Sequence, residues 1–156
     1  MIREYKTIEE VAEWIEENKL KANQECTPEK LSYLKQAGRV SAASAFFGGL
    51  LNIKPIIISD AKGQNFAVEK VKGRKTSIDR LAERFSEEVE DLPYQFISIA
   101  HADSIDDALE LKAAVEKKMK TPLPIHVGHV GPIVGASCGP GTLAVYFYGK
   151  KVTTNE

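Results

Sequence analysis

The sequence predicts an α/β domain of two layers, in which a mixed sheet of about six strands is covered by helices. Two observations carry this. Strand-length apolar runs (IKPIIISD, QFISIAHA, PIHVGHV and LAVYFY) alternate with amphipathic stretches of helical length. IKPIIISD and NFAVEKVK are separated only by the turn DAKGQ, so they form a hairpin, while the strand–helix–strand succession that follows requires parallel crossovers. Hairpin and crossovers together make a mixed sheet, with the helices expected on one face.

Taken in order, Thr7–Asn18 reads as a helix: Thr7 and Glu10 have capping-box spacing, and Ile8, Val11, Ala12 and Ile15 share one face. LKANQECT reads as a short strand. Thr27-Pro28 opens a helix with proline at its first position, carrying Leu31 and Leu34 and stopping at Gly38. A second apolar helix, SAASAFFGGLL, follows with Ser41 as its cap. After the hairpin, Thr76–Val89 is amphipathic, with Ile78, Leu81, Ala82, Phe85 and Val89 on one stripe. Strand QFISIAHA leads to the helix DSIDDALELKAAVEKKM, for which Ser104 and Asp107 are the available caps. Strand PIHVGHV, a Gly/Pro loop and strand LAVYFY complete the chain, and KKVTTNE is a polar tail.

The chain of 156 residues is one ordinary domain with 43% hydrophobic and 28% charged residues. Its 21 Lys and Arg nearly balance 22 Asp and Glu, a net charge of −1 that gives no general attraction to nucleic acid or an anionic membrane. No apolar run approaches the ~20 residues of a membrane span, and the N-terminus is too charged for a secretory signal. Cys26 and Cys138 form no CxxC or zinc spacing, so a reducing cytoplasm is the expected setting.

The candidate sites each admit a plain account. In SCGPGT, successive glycines let backbone N–H groups converge on an anion, and Ser137 adds a hydroxyl; a turn whose glycines supply positive φ explains the same residues. Ser137 and Cys138 sit in no nucleophile motif. His126 and His129 lie at odd spacing on one strand and point to opposite faces, so no metal centre is expected. GRKTS is not a Walker loop; it leaves a basic cluster of Lys70, Lys72, Arg74, Lys75 and Arg80 at a helix N-terminus, either a solvated face or a docking site for an acidic or phosphate-bearing partner. Arg39, between two helices, satisfies helix carbonyls or holds an anion.

Four blocks in order, LSYLKQAGRVSAASAFFGGLLNIKPII, EKVKGRKTSIDRL, ISIAHADSIDDALELKAAV and VGHVGPIVGASCGPGTLAVYFYG, resemble the DegV family of bacterial fatty-acid-binding proteins over about Leu31 to Gly149. The resemblance is to the C-terminal domain. It implies a connecting helix at 1–19 from an N-terminal domain absent from this sequence, the domain proper at 20–150 and a polar tail at 151–156. It further implies an acyl chain held in a tunnel with its carboxylate at the domain junction, presented to a separate fatty acid kinase by a carrier that is not itself an enzyme and needs no cofactor. Ser137 stands where the family has histidine, with Gly139 and Gly141 in its Gly-Pro-Gly clasp. Arg39 resembles the arginine of the family's GGR stretch and is a candidate ligand-binding residue. Arg74, with Lys72 and Lys75, falls in its basic segment, a surface for the kinase. Phe46 and Phe47 fit a tunnel wall or a core. Two other readings stay open: a substrate-binding domain related to dihydroxyacetone kinase, whose fold the family shares, and an interaction module using the basic cluster.

Overall fold

A computed structural model describes residues 6–38 and 52–155. Arg39 and the expected helix SAASAFFGGLL, with Ser41, Phe46 and Phe47, lie outside the described residues. The elements run α1 (Ile8–Asn18), a 3-10 turn at Lys19–Lys21, β1 (Ala22–Thr27), α2 (Leu31–Gln36), β2 (Ile53–Ser59), β3 (Asn65–Lys72), α3 (Arg74–Glu88), β4 (Ile97–His101), α4 (Ile105–Lys118), β5 (Ile125–His129), α5 (Pro132–Cys138) and β6 (Leu143–Tyr148). The six strands form one mixed sheet in the order β3-β2-β1-β6-β4-β5. As expected, β2 and β3 pair antiparallel and β4 and β5 pair parallel around α4.

Alternation along the strands sends every second side chain to α3 and α4. Leu143, Val145 and Phe147 of β6 meet Ile97 and Ile99 of β4 there, together with Ile78, Leu81 and Phe85 of α3 and Leu111 and Val115 of α4. Phe85 and Phe147 pack edge to face at 5.0 Å. Each large side chain so buried contributes about 1.5–3 kcal/mol. β1 puts Glu25 on this apolar face, 1% exposed. Burial pushes its carboxyl up, while the Arg84 guanidinium bonding both its oxygens pulls the other way.

The structure departs from the sequence reading in four places. Helices do not keep to one face: α2 and α5 pack together and, with strand residues of the opposite face, bound a cleft there. The Gly/Pro loop after β5 is helix α5, started by Pro132 at its first turn. Thr27 and Pro28 do not open a helix, because Thr27 is the last, fully buried residue of β1, and α2 begins only at Leu31. The α1 capping box forms as expected, yet the apolar stripe stays out of the core, with Ile8 78% and Ile15 50% exposed. An aromatic contact holds α1 instead: Trp14 lies 5.1 Å from Tyr94, which lies 5.3 Å from Tyr148.

Candidate functional site

The clasp that follows α5 is built by close packing. Gly139 has φ 80° and ψ 165°, and a Cβ there would stand 2.2 Å from the Tyr33 ring. At Gly141, with φ 82°, a Cβ would stand 2.5 Å from that of Glu29. Both glycines are therefore demanded by conformation and by contact with the segment carrying α2. Their N–H groups are also taken: Gly139 donates to the Gly135 carbonyl at 2.8 Å and Gly141 to the Ala102 carbonyl at 2.7 Å. The two N–H groups expected to converge on an anion, those of Gly139 and Gly141, are thus held within the fold in this structure.

Ser137 sits in the last turn of α5. Its hydroxyl donates to the Ile133 carbonyl at 2.9 Å, one turn back, which uses its single hydrogen. Cys138, the next residue, lines the cleft that opens on the sheet face away from α3 and α4. This cleft of about 240 Å³ is walled by Cys26, Leu34, Ile57, Val134, Cys138 and Ala144, with Gln24, Asn65, Thr142 and Tyr146 around them. The register explains the wall: Cys26 pairs with Ala144 and Gln24 with Tyr146, so these side chains alternate away from the Glu25–Val145 level. Burial, and less so the neighbouring Cys138 and Glu25, pushes the Cys26 thiol up to about 12, which keeps it neutral and unreactive. The thiols act as apolar wall.

Arg74 does not stand free on the basic face. Its side chain is 20% exposed and turned toward the clasp. Nε and Nη2 donate to Asp107 Oδ2 at 3.0 and 2.8 Å, and Nη2 also reaches the Gly141 carbonyl at 2.5 Å. Burial opposes the charge on Asp107, but the Ser104 hydroxyl and Arg74 together hold its carboxyl below the usual range. Lys75, 77% exposed, bonds Glu110 at 3.1 Å, and Lys72 is exposed at the end of β3. Of the expected partner-binding residues, these two lysines are the ones on open surface.

Sequence reasoning missed a second group behind the clasp. His101 and His129 end the parallel strands β4 and β5 in register, with ring centroids 4.3 Å apart. A cavity of about 320 Å³ lies against them, with Asp103, Pro132 and Pro140 also in its wall. His101, 1% exposed, accepts the Ser104 N–H at Nδ1 over 3.1 Å, so its hydrogen is on Nε2 and neither nitrogen offers a metal a free lone pair. Burial, then the neighbouring His129, pulls His101 below the ordinary imidazole value. The pairing depends on strand register, which no local motif announces.

An apolar cleft on the sheet face opposite α3 and α4, walled in part by α2 and α5 and lying beside the Gly-Pro-Gly clasp, defines the class: an α/β domain with a ligand-sized apolar recess and, among the described residues, no group that could hold a metal ion. The model of the DegV family matches residues 1–150, and the chain belongs to the DegV family. A DegV domain-containing protein of Clostridium perfringens is 36% identical over 149 residues, covering 96% of this chain and 51% of the relative. Among solved structures, a fatty acid binding DegV family protein from Streptococcus agalactiae is 26% identical with a TM-score of 0.79, covering 96% of this chain and 52% of that one. DegV from Bacillus subtilis, described as a fatty acid binding protein, is 28% identical with a TM-score of 0.73, covering 92% and 50%. The chain thus spans about half the length of the relatives it matches. Among the described residues no helix is long and apolar enough to cross a membrane.

Proposed function

We propose that this chain contributes the C-terminal half of a fatty-acid carrier, its apolar cleft taking part of the acyl chain while an N-terminal half closes over it. The observation that carries this reading is the cleft itself. At about 240 Å³ it exceeds an apolar cavity that accepts benzene (~150 Å³), yet falls short of the ~300–1,000 Å³ of a complete ligand site. Among the described residues its wall carries no charged side chain, which suits methylenes at ~0.8 kcal/mol per buried CH₂. The exposed Ile8 and Ile15 of α1 are a surface for the second half to cover.

In the same reading the carboxylate lies at the junction near Ser137, Gly139 and Gly141. Ser137 can serve it only by giving up its bond to Ile133, and Arg39 is the further candidate partner. The exposed Lys72 and Lys75 are then the surface offered to a fatty acid kinase, and the carrier does no chemistry. Native mass spectrometry of this chain joined to a DegV N-terminal half, purified from bacteria, tests the proposal. One bound fatty acid per chain is expected; no lipid, or only a polar molecule, would sink it.

A further inference from the structure

The clasp is tied to the rest of the fold by a hydrogen-bonded chain that no single motif contains. His101 Nδ1 accepts the Ser104 N–H at 3.1 Å, and the Ser104 hydroxyl donates to Asp107 Oδ2 at 2.6 Å. The same oxygen takes both the Nε and Nη2 hydrogens of Arg74, and Nη2 ends on the Gly141 carbonyl. The loop between β4 and α4 closes the ring from the other side: Gly141 donates to the Ala102 carbonyl at 2.7 Å and Ala102 donates to the Thr142 carbonyl at 2.9 Å. The N-termini of α3 and α4, the end of β4 and the clasp therefore meet at one guanidinium. The other carboxylate near Arg74, Glu29, brings Oε2 to 3.7 Å from Nε without a hydrogen bond, while its Oε1 pairs with Lys54 at 2.6 Å.

From this we infer that Arg74 is a positioning residue: the strut His101–Ser104–Asp107–Arg74 fixes where the Gly-Pro-Gly clasp sits against the cleft. Its bearing on ligand affinity rests on the carrier reading above; its bearing on clasp geometry does not. The planar fork matters, since Asp107 and the Gly141 carbonyl are held at once from one rigid group, which a lysine ammonium on a flexible stem does not reproduce. The strut also has a titratable end. Protonation of His101 places a hydrogen on Nδ1, so Ser104 N–H loses its acceptor and two donors face each other. The charged and titratable neighbours that act on His101 are His129 from β5 and Asp103 from the loop.

Amide hydrogen exchange on this chain tests the strut without any ligand. In Arg74→Lys the Gly141 and Ala102 amides should exchange roughly tenfold faster, while core amides such as Val145 keep their protection. Asp107→Asn, which retains an acceptor oxygen, should fall between. In the wild type, Ser104 and Gly141 protection, corrected for intrinsic rates, should fall by up to roughly tenfold per pH unit as pH drops from the ordinary imidazole value toward the lowered one of His101, and level off below it. His101→Asn, which keeps an acceptor but cannot titrate, should remove that dependence. Unchanged Gly141 exchange in Arg74→Lys, or an acid response that survives His101→Asn, would overturn the strut. Failure of lipid to co-purify would leave these exchange results as they are and count against the carrier alone.

Discussion

Replacing Gly139 by alanine puts a Cβ where the backbone and a neighbouring ring both refuse it. With φ 80° and ψ 165° the residue lies in a region essentially reserved for glycine, which costs about 1–3 kcal/mol for any other residue. The new atom would stand 2.2 Å from Tyr33 Cδ2 and 2.4 Å from Cγ, far inside contact distance, an overpacking that costs a further ~1–3 kcal/mol. The sum, about 2–6 kcal/mol, is a large share of the ~5–15 kcal/mol of a whole domain. Because α2 carries no buried residue, the ring can give way, so the steric part should be separable. Urea unfolding of Gly139→Ala, Tyr33→Ala and the double variant, followed by Trp14 fluorescence and circular dichroism, measures both parts. In the Tyr33→Ala background the glycine change should cost only the backbone share, a coupling of about 1–3 kcal/mol. A cost below about 0.5 kcal/mol would show that the clasp is open rather than packed, and the close-approach argument would fail.

Ser137→Ala should change thermal stability by less than about 0.5 kcal/mol, as its bond only repeats one already available along the helix. In a protein carrying both halves, the same variant should weaken fatty-acid binding by about 1.5–3 kcal/mol, read by titration; unchanged affinity would remove Ser137 from the site. Acid stability should respond to Glu69, whose carboxyl is held down to about 2 by Arg80 first and Arg84 next. Its folded value lies below the unfolded one, so its contribution is present above pH ~4.5 and is lost as pH falls toward about 2. Glu69→Gln should flatten the melting temperature across that window, and an unaltered acid profile would refute the assignment.

How far the sequence could be read follows from how local each signal was. The hairpin, the capping box at Thr7 and the stripe of α3 are written within a few residues and formed, whereas Ser104, expected as a cap of α4, makes no side-chain cap bond there. α5 was missed because GPIVGASC carries the composition of a loop; its one local clue, proline at the first helical position, was outweighed by two glycines. Pro28 misled in the opposite sense, since the burial of Thr27 carried the strand past the cap position. The site was less legible still. Arg74 finds Asp107 33 residues on and Gly141 67 residues on, and Cys26 meets its cleft partner Ala144 only through sheet pairing. A cluster of basic residues in a sequence does not reveal that one of them faces inward.

The place of β6 in the sheet has a consequence for the order of assembly. It is the last of the described strands in chain order, yet it lies between β1 and β4, pairing Ala22 with Tyr148 along one edge and His101 with Leu143 along the other. Until it arrives there are two separate pieces, β3-β2-β1 and β4-β5, each with an unpaired inner edge. The hairpin and the crossover unit can form while the chain is still being synthesised, but their sheet edges cannot be bridged until the closing strand has left the ribosome. Such late, distant pairing slows folding and leaves two sticky edges waiting. A stop codon a few residues before Leu143 would therefore remove more than a strand: it would leave two half-sheets joined through the packing of α3 on α4 and no longer by a continuous ladder.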